Sequence, residues 1–442
     1  MTTVAEWVEV HRLAVAGREP AIARQVGDRV GRVWLRRSRF ADAEALATAT
    51  LTLGPEAGAL YHLGWAQVAT GRPRPALDSF EQALRLYREA DDRGNEAVTL
   101  NNIGLVYDRL GDREQALIYY GQALPIMREV GDRNAEGVTL NNIGGIYAGL
   151  GDREQALTYY GQALPIRREV GDRAGEAVTL NNIGHVYDRL GDREQALIYF
   201  RQALPIAREV GDRAAEGVTL SNIGNVYDRL GDREQALIYY GQALPIAREV
   251  GDRAAEGVTL NNIGGVYAGL GDREQALIYF RQALPIAREV GDRAGEAATL
   301  TNIGHVYVGL GDREQALIYY GQALPIRREV GDRAGEAATL TNIGHVYAGL
   351  GDREQALIYY GQALPIMREV GDPAGEAVTR YSIAIIHRDE GDLDGAIAEL
   401  ELVVDLDRQV GHPDLASGTA MLEQLRQERA TAQQPDPSPG QG

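Results

Sequence analysis

Residues 96–135 read EAVTLNNIGLVYDRLGDREQALIYYGQALPIMREVGDRNA, and this stretch decides the fold. Leu100, Ile103, Tyr107 and Leu110 follow one another at steps of three and four, the spacing of one helical face. After Gly111-Asp112, a second such face is formed by Ala116, Leu117, Tyr120, Ala123 and Leu124. Glycine tolerates the left-handed conformation just past a helix C-terminus, and aspartate caps the orphan amides of the next helix. Asp112 and Gln115 have the spacing of a capping box. The stretch therefore predicts two antiparallel helices joined by a tight turn, neither able to bury its stripe alone. Pro125 falls inside the second helix, where it removes one ladder bond and is expected to bend the helix. Gly121 lies four residues earlier, but Arg201 and Arg281 occupy the same register, so a glycine there is not required.

The stretch recurs. Units begin at Glu96, Glu136, Glu176, Glu216, Glu256, Glu296 and Glu336, and a weaker one at Glu376. Residues 296–335 and 336–375 differ only at Val308/Ala348, Arg327/Met367 and Arg333/Pro373. Gly-Asp returns every twenty residues from Gly111-Asp112 to Gly391-Asp392. A helix pair that cannot bury its own stripe buries it against its neighbours, which predicts an all-α solenoid. The 442 residues are thus one array rather than two or three domains.

Leu100, Ile103-Gly104, Tyr107, Gly111, Ala116, Tyr120 and Ala123 resemble the tetratricopeptide (TPR) pattern of large and small residues, with Gly104 and Ala116 where two helices come closest. The resemblance covers roughly residues 24–412 and implies a right-handed superhelical solenoid of about ten helix-turn-helix repeats. The family's usual proline after the second helix is absent, and the repeat is forty residues rather than thirty-four. The Thr99-Leu100-Asn101-Asn102-Ile103-Gly104 run is most similar to kinesin light chains and Pins-type adaptors, and also to repeat arrays attached to bacterial signalling ATPases.

The expected organisation is an N-terminal capping helix in 1–23, two degenerate units in 24–95, seven near-identical units in 96–375, a degenerate unit in 376–412, a C-terminal capping helix in 413–431 and a disordered tail in 432–442. In the final helix Leu415, Leu422 and Leu425 are expected inward, with Glu423, Arg426 and Glu428 outward. The proline-rich tail has too little apolar surface to pack.

Composition narrows the function classes. There is no cysteine, which excludes disulfides and thiol chemistry and fits the cytoplasm. Every basic residue is arginine, and a net charge of −18 argues against a nucleic-acid surface. No run of apolar residues is long enough for a membrane helix, and Met1 to Trp7 does not resemble a signal peptide. No catalytic constellation converges, and no metal or cofactor is expected. His185 with Asp188 would give two metal ligands, a poor site. The glycines form no strand-to-helix phosphate loop. The run Arg29, Arg32, Arg36, Arg37 and Arg39 offers a surface for an acidic partner, although such a run is more often a solvated helix face.

In the TPR family the first helix of each unit lines the inner wall. The resemblance places Asn101, Asn102, Leu105, Asp108 and Arg109 there, on one stripe at helical spacing. Asparagine stands at 102, 142, 182, 222, 262, 302 and 342. The 105 register instead changes, through Gly145, His185, Asn225, Gly265, His305 and His345. Asp108-Arg109 recurs at Asp188-Arg189 and Asp228-Arg229 but is Ala-Gly at 148–149, 268–269 and 348–349, while Arg113-Glu114-Gln115 never changes. An asparagine amide both donates and accepts, which suits an extended peptide backbone. Similarity to the light chains and adaptors implies that Asn102, Asn142, Asn182, Asn222, Asn262, Asn302 and Asn342 hold one; bracing of neighbouring helices is the alternative. Seven rungs on the order of 10 Å apart would span roughly 60 Å, about eighteen extended residues. The expected function is a protein-interaction scaffold binding a peptide segment through these asparagines, His185, His305, His345, Asn225, Arg109, Arg189 and Arg229. The alternative is a sensor or peptide-receptor subunit of a signalling system, and an enzyme is the remaining rival. The sequence names neither the partner nor an oligomeric state.

Overall fold

A computed structural model describes residues 3–432, and all their regular structure is helical. The chain packs as two compact units, Met1–Val226 and Tyr227–Gly442. The first begins with helices Val4–Ala16, Pro20–Arg36, Phe40–Leu51, Ala57–Ala69 and Pro73–Glu89. Regular pairs then follow, such as Arg93–Arg109 with Arg113–Val130 and Arg133–Leu150 with Arg153–Glu169. The second carries the same pairs to Arg353–Val370 and closes with Pro373–Asp389, Leu393–Val410 and Leu415–Ala432. In that last helix Leu422 and Leu425 are buried, Leu415 is half-buried, and Glu423, Arg426 and Glu428 are exposed. The tail expected in 432–442 lies outside the described residues, apart from the backbone of Ala432.

The turn chemistry is as the sequence implies. Gly111 has φ +83°, a left-handed conformation that releases the chain from one helix. Asp112 then accepts the Gln115 amide N–H at 3.1 Å and starts the next. These pairs form the aspartate half of a capping box; both halves form at Thr3 and Glu6. Pro125 sits inside the continuous helix Arg113–Val130.

Burial runs across the repeats, as a stack requires. Ala116 and Tyr120 pack with Ile143 and Ile146 of the next unit, and Ala156 and Tyr160 with Ile183 and Val186. Ala236, Tyr240, Ile263 and Val266 repeat the layer in the second compact unit. Burying each such large apolar side chain contributes about 1.5–3 kcal/mol. Gly104 is where helices approach within a pair, but its close neighbour is the Tyr120 ring: a Cβ there would lie 2.7 Å from it. Gly184 meets Phe200 and Gly344 meets Tyr360 in the same way.

A chain of ion pairs joins consecutive helices and accounts for the glutamate that opens every unit. Glu136 is buried between Arg128, at 2.7 Å, and Arg133, which also reaches Glu169 of the following helix at 2.8 Å. The motif recurs at Arg168, Glu176, Arg173 and Glu209, and at Arg288, Glu296, Arg293 and Glu329. Guanidinium forks suit this bridging, because one side chain serves two carboxylates. At Glu376 the motif changes. Pro373 replaces the bridging arginine, and the buried Arg380 pairs with Glu376 at 2.8 Å and Glu399 at 2.5 Å.

Candidate functional site

The first helix of each pair carries the stripe of asparagines, and their amides reach toward the preceding repeat. Asn182 Nδ2 donates to Asn141 Oδ1 at 3.3 Å, and the Thr179 hydroxyl donates to that same oxygen at 3.1 Å. Asn302 and Thr299 meet Asn261 with the same geometry, at 3.3 and 3.1 Å. Asn222 donates to Asn181 at 3.2 Å, and Asn102 donates to the Tyr61 hydroxyl at 2.9 Å. Asn142 and Asn262 hold the same register and are half-buried. The donors assigned from sequence to a peptide backbone are therefore engaged between repeats at these positions.

The variable 105 register lies beside these contacts. Gly145 and Gly265 offer no side chain, and the asparagines after them, Asn182 and Asn302, turn to Asn141 and Asn261. At His305 and His345 the imidazole supplies the contact, whereas Asn222, which follows His185, turns to Asn181. His305 Nε2 lies 3.0 Å from Asn342 Nδ2, and His345 Nε2 lies 3.1 Å from the Ser382 hydroxyl. Both residues are exposed, yet their rings stand edge-on to Tyr320 and Tyr360 at 5.6 and 5.5 Å. Loss of water around the rings holds both imidazoles below the ordinary histidine pKa, against the opposing bond from Asn342 at His305. His185 is exposed and Asn225 half-buried on the same stripe. Within the second compact unit a cleft of about 570 Å³ is lined by His345, Tyr360, Tyr381 and Ser382 among others.

Arg109, Arg189 and Arg229 are exposed at the end of the stripe. The glycine of the Ala-Gly alternative at their register packs under an arginine. Arg113 Nη1 donates to the Gly149 carbonyl at 3.1 Å, and a Cβ on Gly149 would lie 3.1 Å from that guanidinium. Gly269 and Gly349 are covered likewise by Arg233 and Arg313. The arginine of the turn thus covers the next repeat at Gly149, Gly269 and Gly349, while the units with Arg189 and Arg229 keep the same turn arginine beside a full side chain.

One feature escaped the sequence reading. Tyr107 and Tyr119 stack at 5.4 Å, and the pair recurs through Tyr347 and Tyr359 at 5.5 Å. The signal was available, since both positions are tyrosine in all seven units, but twelve residues of separation hid the contact.

Among the described residues, no group of three or more His, Asp or Glu is arranged to hold a metal ion, and no helix is long and apolar enough to cross a membrane.

A family model of the tetratricopeptide repeat matches seven stretches between residues 83 and 409, and a second matches 58–90. No curated protein matches the chain. Solved structures do. A signal transduction ATPase with a tetratricopeptide repeat sensor from Pyrococcus horikoshii has 17% identity and TM-score 0.63, over 80% of this chain and 55% of that one. A Rap protein complexed with competence and sporulation factor has 17% identity and TM-score 0.54, over 79% and 99%. The apo quorum sensor NprR from B. thuringiensis has 16% identity and TM-score 0.57, over 78% and 98%. At these identities the likeness is one of fold.

Proposed function

The chain belongs to the tetratricopeptide-repeat family, and from that premise we propose that it is a protein-interaction scaffold holding an extended peptide segment along its first helices. The observation that carries the reading is the 105 register. Among near-identical units, the position beside the asparagines runs Leu105, Gly145, His185, Asn225, Gly265, His305, His345, and its glycine and histidine members are exposed. A position that changes while the asparagine of the 102 register does not is suited to reading successive side chains of a ligand. The asparagines serve beside it. With Nδ2 held by the preceding repeat, the Oδ1 of Asn182 or Asn302 is oriented to accept a backbone N–H of the bound segment. Arg109, Arg189 and Arg229 add charge for an acidic residue of that segment.

A second reading is a peptide sensor within a signalling system. It is supported by the likeness in fold to a Rap protein complexed with competence and sporulation factor and to a quorum sensor. One experiment separates the two. The full chain is used to capture binding partners from its source cell, beside a variant with His185, His305 and His345 changed to alanine. A single segment of a larger protein, retained by the parent and lost by the variant, supports the scaffold. A short free peptide supports the sensor. Equal retention by both chains refutes the assignment of the groove.

A further inference from the structure

A pocket opens where the last helix packs on the array. Its walls come from Ala377, Val378, Tyr381 and Ser382 of Pro373–Asp389, Val403 and Asp407 of Leu393–Val410, and His412, Asp414, Ser417 and Gly418 at the start of the closing helix. The volume is about 370 Å³, against about 70 Å³ at the equivalent place around Asn261 and Ala287. Two substitutions set it apart. Tyr381-Ser382 replace the polar pair of the stripe, and Asp407 stands where earlier units have Met127, Ala207, Ala247, Ala287 or Met367.

Asp407 is the unusual member. It is only 4% exposed, and it lines the cavity. The adjacent imidazole does not satisfy its carboxylate: His412 Nδ1 accepts the Asp414 amide N–H at 3.2 Å and lies 3.9 Å from Asp407 Oδ1, beyond hydrogen-bond reach. At the same register Arg167 and Arg327 reach Asp172 and Asp332, and the place of those aspartates is taken here by His412. A carboxylate this buried, whose one charged neighbour is His412 when protonated, leaves room for a cation to complete it.

We infer that this pocket binds an alkyl cation, an ammonium or guanidinium on a short apolar stem, with Asp407 as its counter-ion. Val378, Ala377 and Val403 supply the wall for the stem, and the Tyr381 ring, 37% exposed, stands at the rim where a cation can lie against it. Asp414, largely exposed, adds negative potential at the mouth. Such a cation comes either from an arginine or lysine side chain of a docked segment or from a free amine. This inference stands independently of the groove reading.

Calorimetric titration of the full chain with N-acetyl-arginine amide and with agmatine tests it, using N-acetyl-norleucine amide as the neutral control. The expected result is saturable binding of at least one cation, none of the control, and at least tenfold weaker binding to Asp407→Asn. Preference for the blocked arginine marks a side-chain ligand, and preference for agmatine a free one. Melting of Asp407→Asn without ligand provides the second readout. An uncompensated carboxylate gives the variant a Tm equal to or above that of the parent. A lower Tm or an unfolded variant shows that the carboxylate is structural and overturns the proposal, as do absent binding and unchanged affinity in the variant.

Discussion

Asn182 Nδ2 and Asn141 Oδ1 lie 3.3 Å apart across a repeat boundary, and the same oxygen also receives the Thr179 hydroxyl. The asparagine ladder is therefore part of what holds neighbouring first helices in register. Asn141→Ala removes the acceptor of two donors. It is expected to destabilise the chain by about 1–3 kcal/mol, since Asn182 is half-buried and loses its partner. Urea unfolding of the variant measures this, and an unchanged midpoint would show that the ladder bears no load.

The ion-pair chain predicts an acid limit. Burial alone would raise Glu256, but Arg248 and Arg253 outweigh it and hold the carboxyl below its ordinary value. Glu289, bonded to Arg253, is lowered as well. A carboxylate whose folded pKa is depressed contributes stability above its unfolded value of about 4.3, and that stability is lost as pH falls through the folded value. The ion-pair contribution is thus expected to be constant near neutrality and to be lost below about pH 4.3. Glu256→Gln should cost on the order of 1–2 kcal/mol at pH 7, because its half-exposed arginines rehydrate, and should flatten the acid limb. Thermal melts from pH 7 to 3 of parent and variant check both statements.

Glycines at two registers should respond in opposite directions. Gly184→Ala places a Cβ 2.7 Å from the Phe200 ring and is expected to cost about 1–3 kcal/mol despite alanine's helix propensity. A Cβ at Gly121, in the helix Arg113–Val130, meets nothing within 4 Å. Gly121→Ala should therefore stabilise by about 0.5–1 kcal/mol. Denaturant midpoints of the two variants test this contrast.

The repeat, its caps and its inward stripe were legible in residues 96–135 because each depends on neighbours within one or two helical turns. What the sequence hid depends on contacts about one repeat away. Glu96 marked the start of each unit, yet its pairing with Arg88 and Arg93 emerges only once the helices stack. Gly149 read as groove variation until Arg113 was seen to cover it. The asparagines have the chemistry for a peptide, but Asn141, Asn181 and Asn261 answer their donors first.

The histidines of the 105 register provide a pH signature. Burial lowers His345, and it lowers His305 against the opposing bond to Asn342. For a base with a depressed folded pKa, stability is fully present above the unfolded value of about 6.5 and declines as pH falls toward the folded one. NMR titration should place both rings below 6.5; a midpoint above it would mean that they are paired with a carboxylate.

The most direct test of the scaffold account is the affinity of the captured segment for the parent chain and for the chain with His185, His305 and His345 changed to alanine, measured by calorimetry with Tm recorded alongside. Gly145 and Gly265 already occupy this register, so losing the side chain is tolerated by the fold. The account predicts at least a tenfold loss of affinity with Tm nearly unchanged. Unaltered affinity for a segment that the parent binds would contradict it.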